Sequence, residues 1–300
     1  TFYGAVHVDR GDGRFVHAMD TEAAARVAIK GLQSVAYEVW PDLIFVTSGF
    51  FVPPAMYELF RTRRHRVVLN HLESPYEDTR QMARAGLVDL NLVNDPTNLE
   101  SFRAVNAETW YMPAAYDPTV HAPGPAVLEM RSDFCFVGTG FPSRVKFLEQ
   151  VDWDGIDVAL AGNWQATEQD SPLRKFVAHD LDKCCDNTDA VRLYRSTKVS
   201  ANLYRQETEE AGIADGWAMG PREVELAATG TFFLRSARPE GDDILRMLPR
   251  FGDPDDFGEQ LRWWLAHDDE RGEVADAARR AVQDRTFLNN AKQLLRLLAD

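Results

Sequence analysis

The stretch GPREVELAATGTFFL, residues 220–234, contains the pattern that decides the predicted fold. Gly220 and Pro221 form a turn of the kind that starts a helix, because proline is favoured in the first helical turn. The helix ends at Gly230, since glycine is a common helix stop. The apolar run that follows predicts a buried strand. Helix, glycine and buried strand in this order are typical of an α/β protein.

The same alternation of short apolar strands and helices extends along the chain on both sides of this stretch. Strands are predicted within DLIFVTSGFFV (42–52), HRVVLNHLES (65–74), LVDLNLVND (87–95), ETWYMPAAY (108–116), SDFCFVGTG (132–140), IDVALAGNW (156–164) and KVSANLYR (198–205). Continuous apolar strands separated by helices predict parallel sheets that are covered on both faces.

One region interrupts this alternation. Residues 117–131 contain three prolines and show no helical or strand period, so they predict an interdomain linker. We therefore predict an α/β chain of two Rossmann-like, doubly wound domains, residues 1–120 and 128–300, which face each other across a cleft. Amphipathic helices end the chain, and the last one is expected to pack back on the N-terminal domain. The opening TFYGAVHV reads as a second strand, so the first domain is interpreted as truncated at its start.

Composition narrows the class of protein. A formal net charge of -14 argues against broad binding to a nucleic-acid backbone, although it leaves room for a local basic groove. The three cysteines, Cys135, Cys184 and Cys185, suit a reducing cytoplasm better than a disulfide framework. No apolar run reaches the roughly 18 residues that a membrane span needs. No His/Cys cluster has zinc spacing, so no metal site is predicted.

The second predicted domain carries polar and charged residues where strands give way to helices. In FVGTG (136–140), Gly138 and Gly140 allow a ligand to approach the backbone, and Arg144 can bind a phosphate. The alternative is an ordinary strand-to-helix turn with a solvated arginine. Ligands of doubly wound sheets bind outside the carboxyl ends of the strands. Asn202 and Arg205, near the end of the strand 198–205, can bind a ligand there or belong to a turn.

The helix of the opening stretch begins with one cation and two acids. Glu223 is explained as a first-turn acid that the helix dipole favours. Glu225 lies among residues that should face the sheet, and a carboxylate there can accept two hydrogen bonds from a ribose diol. Arg222 stands beside it at the helix start, where an anion would bind.

In the first predicted domain, NHLESPYED (70–78) brings His71, Glu73 and Tyr76 to the end of a strand. Glu73 is positioned to act as a general base, or it is a structural acid that caps the next helix. Asn94, at the end of another strand, can contribute to the same rim.

Five features in order then show a likeness to a known family. They are PDLIFVTSG, YMPAAYDPTVHAP, DFCFVGTGFPSR, KVSANLYR with GPREVELAATGTFFL, and a helical tail that starts at FGDPDDFGEQLRWWL. Together they resemble the CgeB-like (spore maturation protein-like) glycosyltransferases, which have the GT-B architecture of two Rossmann-like domains.

The resemblance implies a donor site for a nucleoside-diphosphate sugar in the second domain. Gly138 and Thr139 match the glycine loop that faces the donor, and Asn202 matches the asparagine at the preceding strand end. Arg222 and Glu225 match the Arg and Glu of the helix, whose turn, Gly220 and Pro221, would hold the diphosphate while Glu225 holds the ribose. Classical retaining members of the fold carry a further Glu, but here its position is Trp217.

The resemblance also implies a mechanism. GT-B enzymes generally need no catalytic metal, so arginines and helix ends would stabilise the leaving diphosphate. The candidate cations are Arg222, Arg205, Lys198 and Arg144. The first domain would bind the acceptor through Tyr76 and Asn94, with Glu73 as the base and His71 as the second candidate.

The nature of the acceptor stays open at this point. Related bacterial and phage enzymes suggest a glycan, a protein, a small molecule or a hydroxymethylated DNA base. The donor is expected to be a nucleotide sugar such as a UDP-sugar, with no further cofactor, and the chain is expected to be a monomer or homodimer. The alternatives are a non-catalytic nucleotide-sugar-binding protein and a nucleotide-sugar epimerase on the same scaffold.

Overall fold

The computed structural model describes residues 7–9, 15–17, 21–62, 65–207 and 216–299. The chain forms two compact units. Unit 1 contains Thr1–Asn94 and Asn98–Tyr111, and unit 2 contains Asp95–Thr97 and Met112–Asp300.

Unit 1 is built around a parallel sheet. Its elements are β1 (His7–Asp9), β2 (Phe15–His17), α1 (Thr21–Val39), β3 (Leu43–Thr47), α2 (Pro54–Thr62), β4 (Arg66–His71), α3 (Asp78–Ala85), β5 (Leu90–Val93), α4 (Leu99–Val105) and β6 (Thr109–Tyr111). Strands β3, β4, β5 and β6 are neighbours in that order and all run parallel. The strand predicted over residues 1–8 lies mostly outside the described residues. Its described end belongs to β1, which pairs antiparallel with β2.

Unit 2 holds the second sheet and the C-terminal helices. Its elements are β7 (Ser132–Val137), α5 (Pro142–Leu148), β8 (Val158–Ala161), α6 (Asn187–Ser196), β9 (Thr197–Asn202), α7 (Pro221–Thr229), β10 (Phe233–Arg235), α8 (Pro239–Ile244), α9 (Pro254–Ala266), α10 (Asp268–Ala281) and α11 (Phe287–Ala299). Two short 3-10 helices, Leu128–Met130 and Pro172–Phe176, complete the set.

The strand order of the second sheet is β10-β9-β7-β8, and every pair is parallel. From β7 the chain first moves outward to β8 and then crosses back to β9 on the other side. This reversal makes the neighbouring strands β7 and β9 a topological switch point. Open α/β sheets leave a crevice at such a point, at the carboxyl ends of the strands. The fold therefore selects the ends of β7 and β9, Val137 and Asn202, as the place to look for a ligand site.

Local sequence accounts for α7 and its position on the sheet. Val224, Leu226, Ala227 and Ala228 are all buried, as the apolar face of the helix requires. The helix ends at Gly230, whose φ of 79° is the left-handed conformation that favours glycine.

The segment predicted as a linker is part of unit 2 instead. Arg195, on α6, donates from Nε to the carbonyl of Ala122 and from Nη2 to the carbonyl of Val120. The backbone N–H of Val127 donates to the Ser196 hydroxyl. Proline spacing predicted no α-helix or strand in this segment, which contains the 3-10 helix Leu128–Met130, but it could not show that α6 supplies partners for its backbone.

The start of α11 is also tied within unit 2. Asn290 donates from its side-chain amide to the carbonyl of Pro113, and Tyr116 pairs with Thr286 through a parallel bridge. The packing of this helix on the N-terminal domain stays a prediction.

Candidate functional site

Arg222 lies at the switch point of the second sheet and is bonded to the ends of both strands that define it. Its Nε donates to the carbonyl of Val137 at 2.8 Å, and its Nη1 donates to Oδ1 of Asn202 at 3.0 Å. The guanidinium also lies over the Phe136 ring, 4.6 Å from the centroid. Asn202 and Arg222 therefore come together, as the sequence predicted, and the arginine is preorganised rather than free in solvent.

Gly138 is needed for a reason that the sequence did not reveal. A Cβ at this position would overlap with Nη2 of Arg222, so the missing side chain makes room for the guanidinium. Gly162, at the end of β8, has φ of 105°, and a Cβ there would collide with the carbonyl of Gly138. The glycine loop after β7 is thus packed by Arg222 on one side and by Gly162 on another.

Glu225 lies one turn further along α7, with its side chain 22% exposed. Burial raises the pKa of this carboxyl to about 7, and the positive charge of Arg222 opposes that rise. When a carboxyl group with a raised pKa ionises, the folded protein loses stability. Such groups cluster at functional sites.

A third group at this place was missed by the sequence analysis. Nε2 of His121 lies 3.8 Å from Oε1 of Glu225, and the imidazole is only 4% exposed. His121 belongs to the segment read as a linker, so no sequence signal connected it to α7.

Arg144 and Arg205 come together around one aromatic ring. Their guanidinium groups lie 5.1 and 5.2 Å from the centroid of Phe141. Arg144 is buried and donates from Nε to the carbonyl of Leu203 and from Nη1 to the carbonyl of Thr139. Thr139 is exposed, in the loop between β7 and α5. The predicted cations Arg144 and Arg205 thus neighbour each other near the predicted glycine loop.

The backbone amides before α7 contradict one predicted role. Those of Trp217 and Ala218 donate to Oδ2 of Asp95 at 2.8 and 2.9 Å, and that of Met219 donates to Oε2 of Glu240 at 2.8 Å. The amide of Gly220 is likewise taken by Glu223 and Tyr204, and Pro221 has no N–H. The turn at Gly220 and Pro221 therefore does not offer its N–H groups to a diphosphate.

Glu223 is more than a first-turn acid. It closes half of a capping box by accepting from the Gly220 N–H at 3.0 Å, yet it is fully buried. The hydroxyl of Tyr204 donates to the same carboxylate oxygen, and burial raises the pKa values of both groups. Arg238 lies over the Tyr204 ring, 4.0 Å from its centroid.

Two acids of α8 pair with arginines next to this loop. Glu240 accepts from Nη2 of Arg285, and Asp242 accepts from Nη1 of Arg235 at 2.8 Å. The partners of Glu240 are distant in sequence: it is 21 residues from the Met219 amide and 45 residues from Arg285. The nearby Asp253 is a helix cap, since its side chain accepts from the Asp256 N–H at the start of α9.

Lys198 is a clear correction. It lies at the start of β9, at the end of the sheet opposite to Asn202, because parallel strands all present their carboxyl ends at one edge. It is exposed there and pairs with Asp133 at 2.8 Å. Lys198 therefore cannot contact a ligand that binds Asn202 and Arg222.

His71 is a second correction. It is 0% exposed at the end of β4, and its Nε2 is hydrogen-bonded to Oδ1 of Asn91 at 2.9 Å. Burial lowers the pKa of the imidazole to about 4. A fully buried imidazole cannot reach an acceptor hydroxyl, and one with so low a pKa is a poor base. The role of second base is therefore contradicted.

The loop after β4 is held by a polar network. Asn94 accepts from the Ser74 N–H at 3.1 Å and donates to the Ser74 carbonyl at 3.2 Å. The Ser74 hydroxyl donates to Asp78 at 2.6 Å, and Gln81 donates to both. Asn94 thus helps to fix the loop, and its predicted use as an acceptor ligand stays a prediction.

Glu73 and Tyr76, in the same loop, are partly exposed. The backbone of Glu73 is fixed, because its N–H donates to Gln81 and its carbonyl accepts from Tyr76. The roles of Glu73 as general base and of Tyr76 as an acceptor contact stay predictions.

The described residues contain neither a metal-binding cluster nor a membrane-spanning helix. No group of three or more His, Cys, Asp or Glu side chains in that part of the chain is arranged to hold a metal ion. Nor does any helix there have the length and hydropathy to cross a bilayer.

Residues 144–296, half of the chain, match the family model described as glycosyl transferase-like. No curated protein gives a significant match. Among solved structures, a UDP-forming α,α-trehalose-phosphate synthase from Burkholderia xenovorans is 12% identical, with 93% of this chain and 78% of that chain covered and a TM-score of 0.60. A trehalose-6-phosphate structure from E. coli, bound with UDP-2-fluoro glucose, is 12% identical, with 91% and 77% covered and a TM-score of 0.62.

A Listeria monocytogenes protein assigned as a UDP-N-acetylglucosamine 2-epimerase is 11% identical, with 93% and 80% covered and a TM-score of 0.56. These likenesses concern the fold, which is the GT-B arrangement of two Rossmann-like domains with C-terminal helices. Since the family model covers half of the chain and the fold agrees with it, the chain belongs to the glycosyl transferase-like family and is a glycosyltransferase of the GT-B type.

Proposed function

We propose that this enzyme moves a sugar from a nucleoside diphosphate sugar, bound by unit 2, to an acceptor hydroxyl without a catalytic metal. The observation that carries the proposal is the position of Arg222 and Glu225 on α7. The arginine bridges the ends of β7 and β9 at the topological switch point, where sheets of this kind bind nucleotides. The glutamate beside it is buried enough to raise its pKa to about 7, and such perturbed carboxyl groups cluster at functional sites.

Different parts of the donor are assigned to different side chains at the carboxyl edge of the second sheet. Glu225 would accept two hydrogen bonds from the ribose diol. Arg222, with Arg144 and Arg205, would stabilise the negative charge that grows on the diphosphate as the glycosidic bond breaks. This assignment relies on side chains, because the backbone amides of the 217–220 loop are already bonded to buried acids.

We propose UDP as the carrier. The support is the fold shared with a UDP-forming synthase and with a structure bound with UDP-2-fluoro glucose. Within the glycosyl transferase-like family we favour the CgeB-like group, on the strength of the five ordered motifs.

Unit 1 would bind the acceptor. Glu73 is the proposed base that takes the proton of the acceptor hydroxyl, and Tyr76 is the proposed contact on the same loop. If the enzyme retains the anomeric configuration, Glu73 binds acceptor only. The acceptor is a glycan, a protein, a small molecule or a hydroxymethylated DNA base, and we propose a cytoplasmic setting because Cys135, Cys184 and Cys185 are all unpaired.

Titration calorimetry with UDP, UDP-sugars and GDP-sugars tests the donor site. We expect micromolar to millimolar binding of a UDP-sugar to the wild type and a loss of about 10-fold or more in Glu225→Ala, because two hydrogen bonds to a carboxylate are removed. The matched control is Glu259→Ala, which removes an exposed glutamate of α9. A wild type that binds none of these nucleotides would refute the proposal.

Product analysis separates the rival functions. Free UDP formed in proportion to glycosylated acceptor supports transfer. Interconversion of two UDP-sugars, without UDP release in step with an acceptor product, would support an epimerase. A donor that binds and stays intact with every acceptor and in water would indicate a non-catalytic binding protein.

A further inference from the structure

His121 lies beside Glu225, and the proposed donor site does not use its chemistry. The imidazole is 4% exposed, and the backbone of Asp117 lies close enough to raise the pKa of the ring, but neither ring nitrogen has a hydrogen-bond partner of normal geometry among the described residues. Buried polar groups without a partner are rare and call for an explanation. Oε1 of Glu225 lies 3.8 Å from Nε2, which a small rotation of either side chain would bring to hydrogen-bonding distance.

We propose that His121 is a positioning residue, which forms a hydrogen bond with the Glu225 carboxyl and thereby orients it toward the ribose of the donor. The proposal rests on the proposed function, since it assigns Glu225 to the donor. It adds a residue from a different part of the chain to that site. His121 does not touch the donor itself; it acts through Glu225.

An imidazole suits this position because it can pair with either form of the carboxyl. A neutral ring carries one N–H and one acceptor nitrogen, so it donates to an ionised carboxylate and accepts from a protonated one, and the charge-assisted bond to the ionised form is the stronger of the two. The carboxyl therefore keeps one hydrogen bond, and one fixed orientation, while its second oxygen remains for the ligand. A glutamate with this partner loses less side-chain entropy when the donor binds.

The charged groups around the pair come from three elements. On α7, Arg222 favours the ionised form of Glu225. On α6, Tyr194 interacts electrostatically with Glu225, and Arg195 lowers the pKa of His121. On the segment of His121 itself, Asp117 acts in the opposite direction.

A further charge lies at the far end of α7, where Arg279 of α10 approaches Gly230. Burial is the largest influence on both members of the pair, and it lowers the pKa of His121 while it raises that of Glu225. Near neutral pH the imidazole is thus uncharged and the carboxyl is close to half ionised.

The first test measures UDP binding by calorimetry from pH 5.5 to 8.5. In the wild type we expect binding to strengthen as Glu225 ionises, with a midpoint near pH 7. His121→Phe keeps the ring's size but removes its hydrogen bond, so affinity at pH 7 should fall about 10-fold and the midpoint should move up by about one pH unit. His121→Gln, whose amide can also donate or accept, should restore most of both. Unchanged affinity and midpoint in His121→Phe would overturn the proposal.

A double-mutant cycle separates positioning from general damage. If His121 acts through Glu225, His121→Phe should have little further effect on UDP affinity in a Glu225→Gln background. An equal loss in both backgrounds would show that the histidine only supports the fold.

Carboxyl NMR of ¹³C-glutamate-labelled protein needs no donor and therefore distinguishes the two proposals. Glu225, assigned by its absence in Glu225→Gln, should titrate at a higher pH in His121→Phe than in the wild type. If the wild type binds no UDP, the proposed function fails while this shift still shows the His121–Glu225 hydrogen bond. An unshifted titration would refute that bond whether or not UDP binds.

Discussion

Glu225 shows at the level of one residue how the ionisation of a buried carboxyl group reduces the stability of the fold. A rise of its pKa from 4.5 to about 7 means that ionising the folded protein is unfavourable by about 3 kcal/mol relative to the unfolded chain. The folded state holds this proton more tightly, so the stability is fully present below pH 4.5 and is lost as pH rises through 7.

Glu225→Gln should therefore stabilise the protein at alkaline pH. We expect little difference from the wild type in free energy of unfolding at pH 5 and a gain of up to about 3 kcal/mol at pH 8, since the amide has no charge to desolvate. Urea unfolding at the two pH values measures the difference. A gain that is the same at both would show that the carboxyl ionises without penalty.

Gly138→Ala should damage the donor site without a ligand contact of its own. The added methyl group overlaps with the Arg222 guanidinium, so the arginine must leave its bonds to Val137 and Asn202. We expect UDP affinity to fall about 10-fold or more by calorimetry. Gly272→Ala is the matched control, because a Cβ there meets nothing within 4 Å and alanine suits helix α10. Equal affinities of the two variants would contradict the role of Arg222.

At the scale of elements, α7 is the part of unit 2 that the surrounding structure fixes most thoroughly. The loop before it donates four successive backbone N–H groups to Asp95, Glu240 and Glu223. Buried amides must be paired, and buried acids need donors, so each satisfies the other. This exchange fixes where the helix begins and hence where Arg222 and Glu225 lie.

Tyr204→Phe tests this support. The hydroxyl accepts from the Gly220 N–H and donates to Glu223, and without it a fully buried carboxyl group loses a partner. We expect the free energy of unfolding to fall by about 1–3 kcal/mol in urea titrations. UDP affinity should fall less than in Gly138→Ala, because Arg222 keeps its own bonds. A variant as stable as the wild type would show that the Tyr204 hydroxyl adds nothing to the loop.

At the scale of the whole molecule, the two units are expected to divide the reaction. Glu73→Gln in unit 1 should lower kcat by about 10²–10⁴-fold, as expected for loss of a general base, and leave UDP affinity unchanged. Glu225→Gln in unit 2 should weaken UDP binding at any acceptor concentration. Glu100→Gln, an exposed glutamate of α4, is the control. Full activity in Glu73→Gln would remove that residue from the chemistry and leave Tyr76 as the acceptor residue to test.

Part of the site could be predicted because it follows from the polarity of strands. The residue that ends a buried parallel strand must lie at the sheet's carboxyl edge, so Asn202 and Gly138 were placed correctly beside Arg222. The same rule, applied strictly, would have excluded Lys198, which begins its strand. His71 does lie at the end of its strand, but its side chain is fully buried and bonded to Asn91, which the sequence pattern could not show.

The sequence by itself determined the alternation of elements, the two α/β units and the residues of α7 that face outward or inward, because hydrophobic period and glycine stops act locally. Only the tertiary structure decided which partners these residues have. It brought His121 to Glu225 and filled the space above Gly138 with Arg222. It also directed the amides before α7 to buried acids. Hydrogen bonds between distant segments depend on how the elements pack, and no pattern within one segment encodes them.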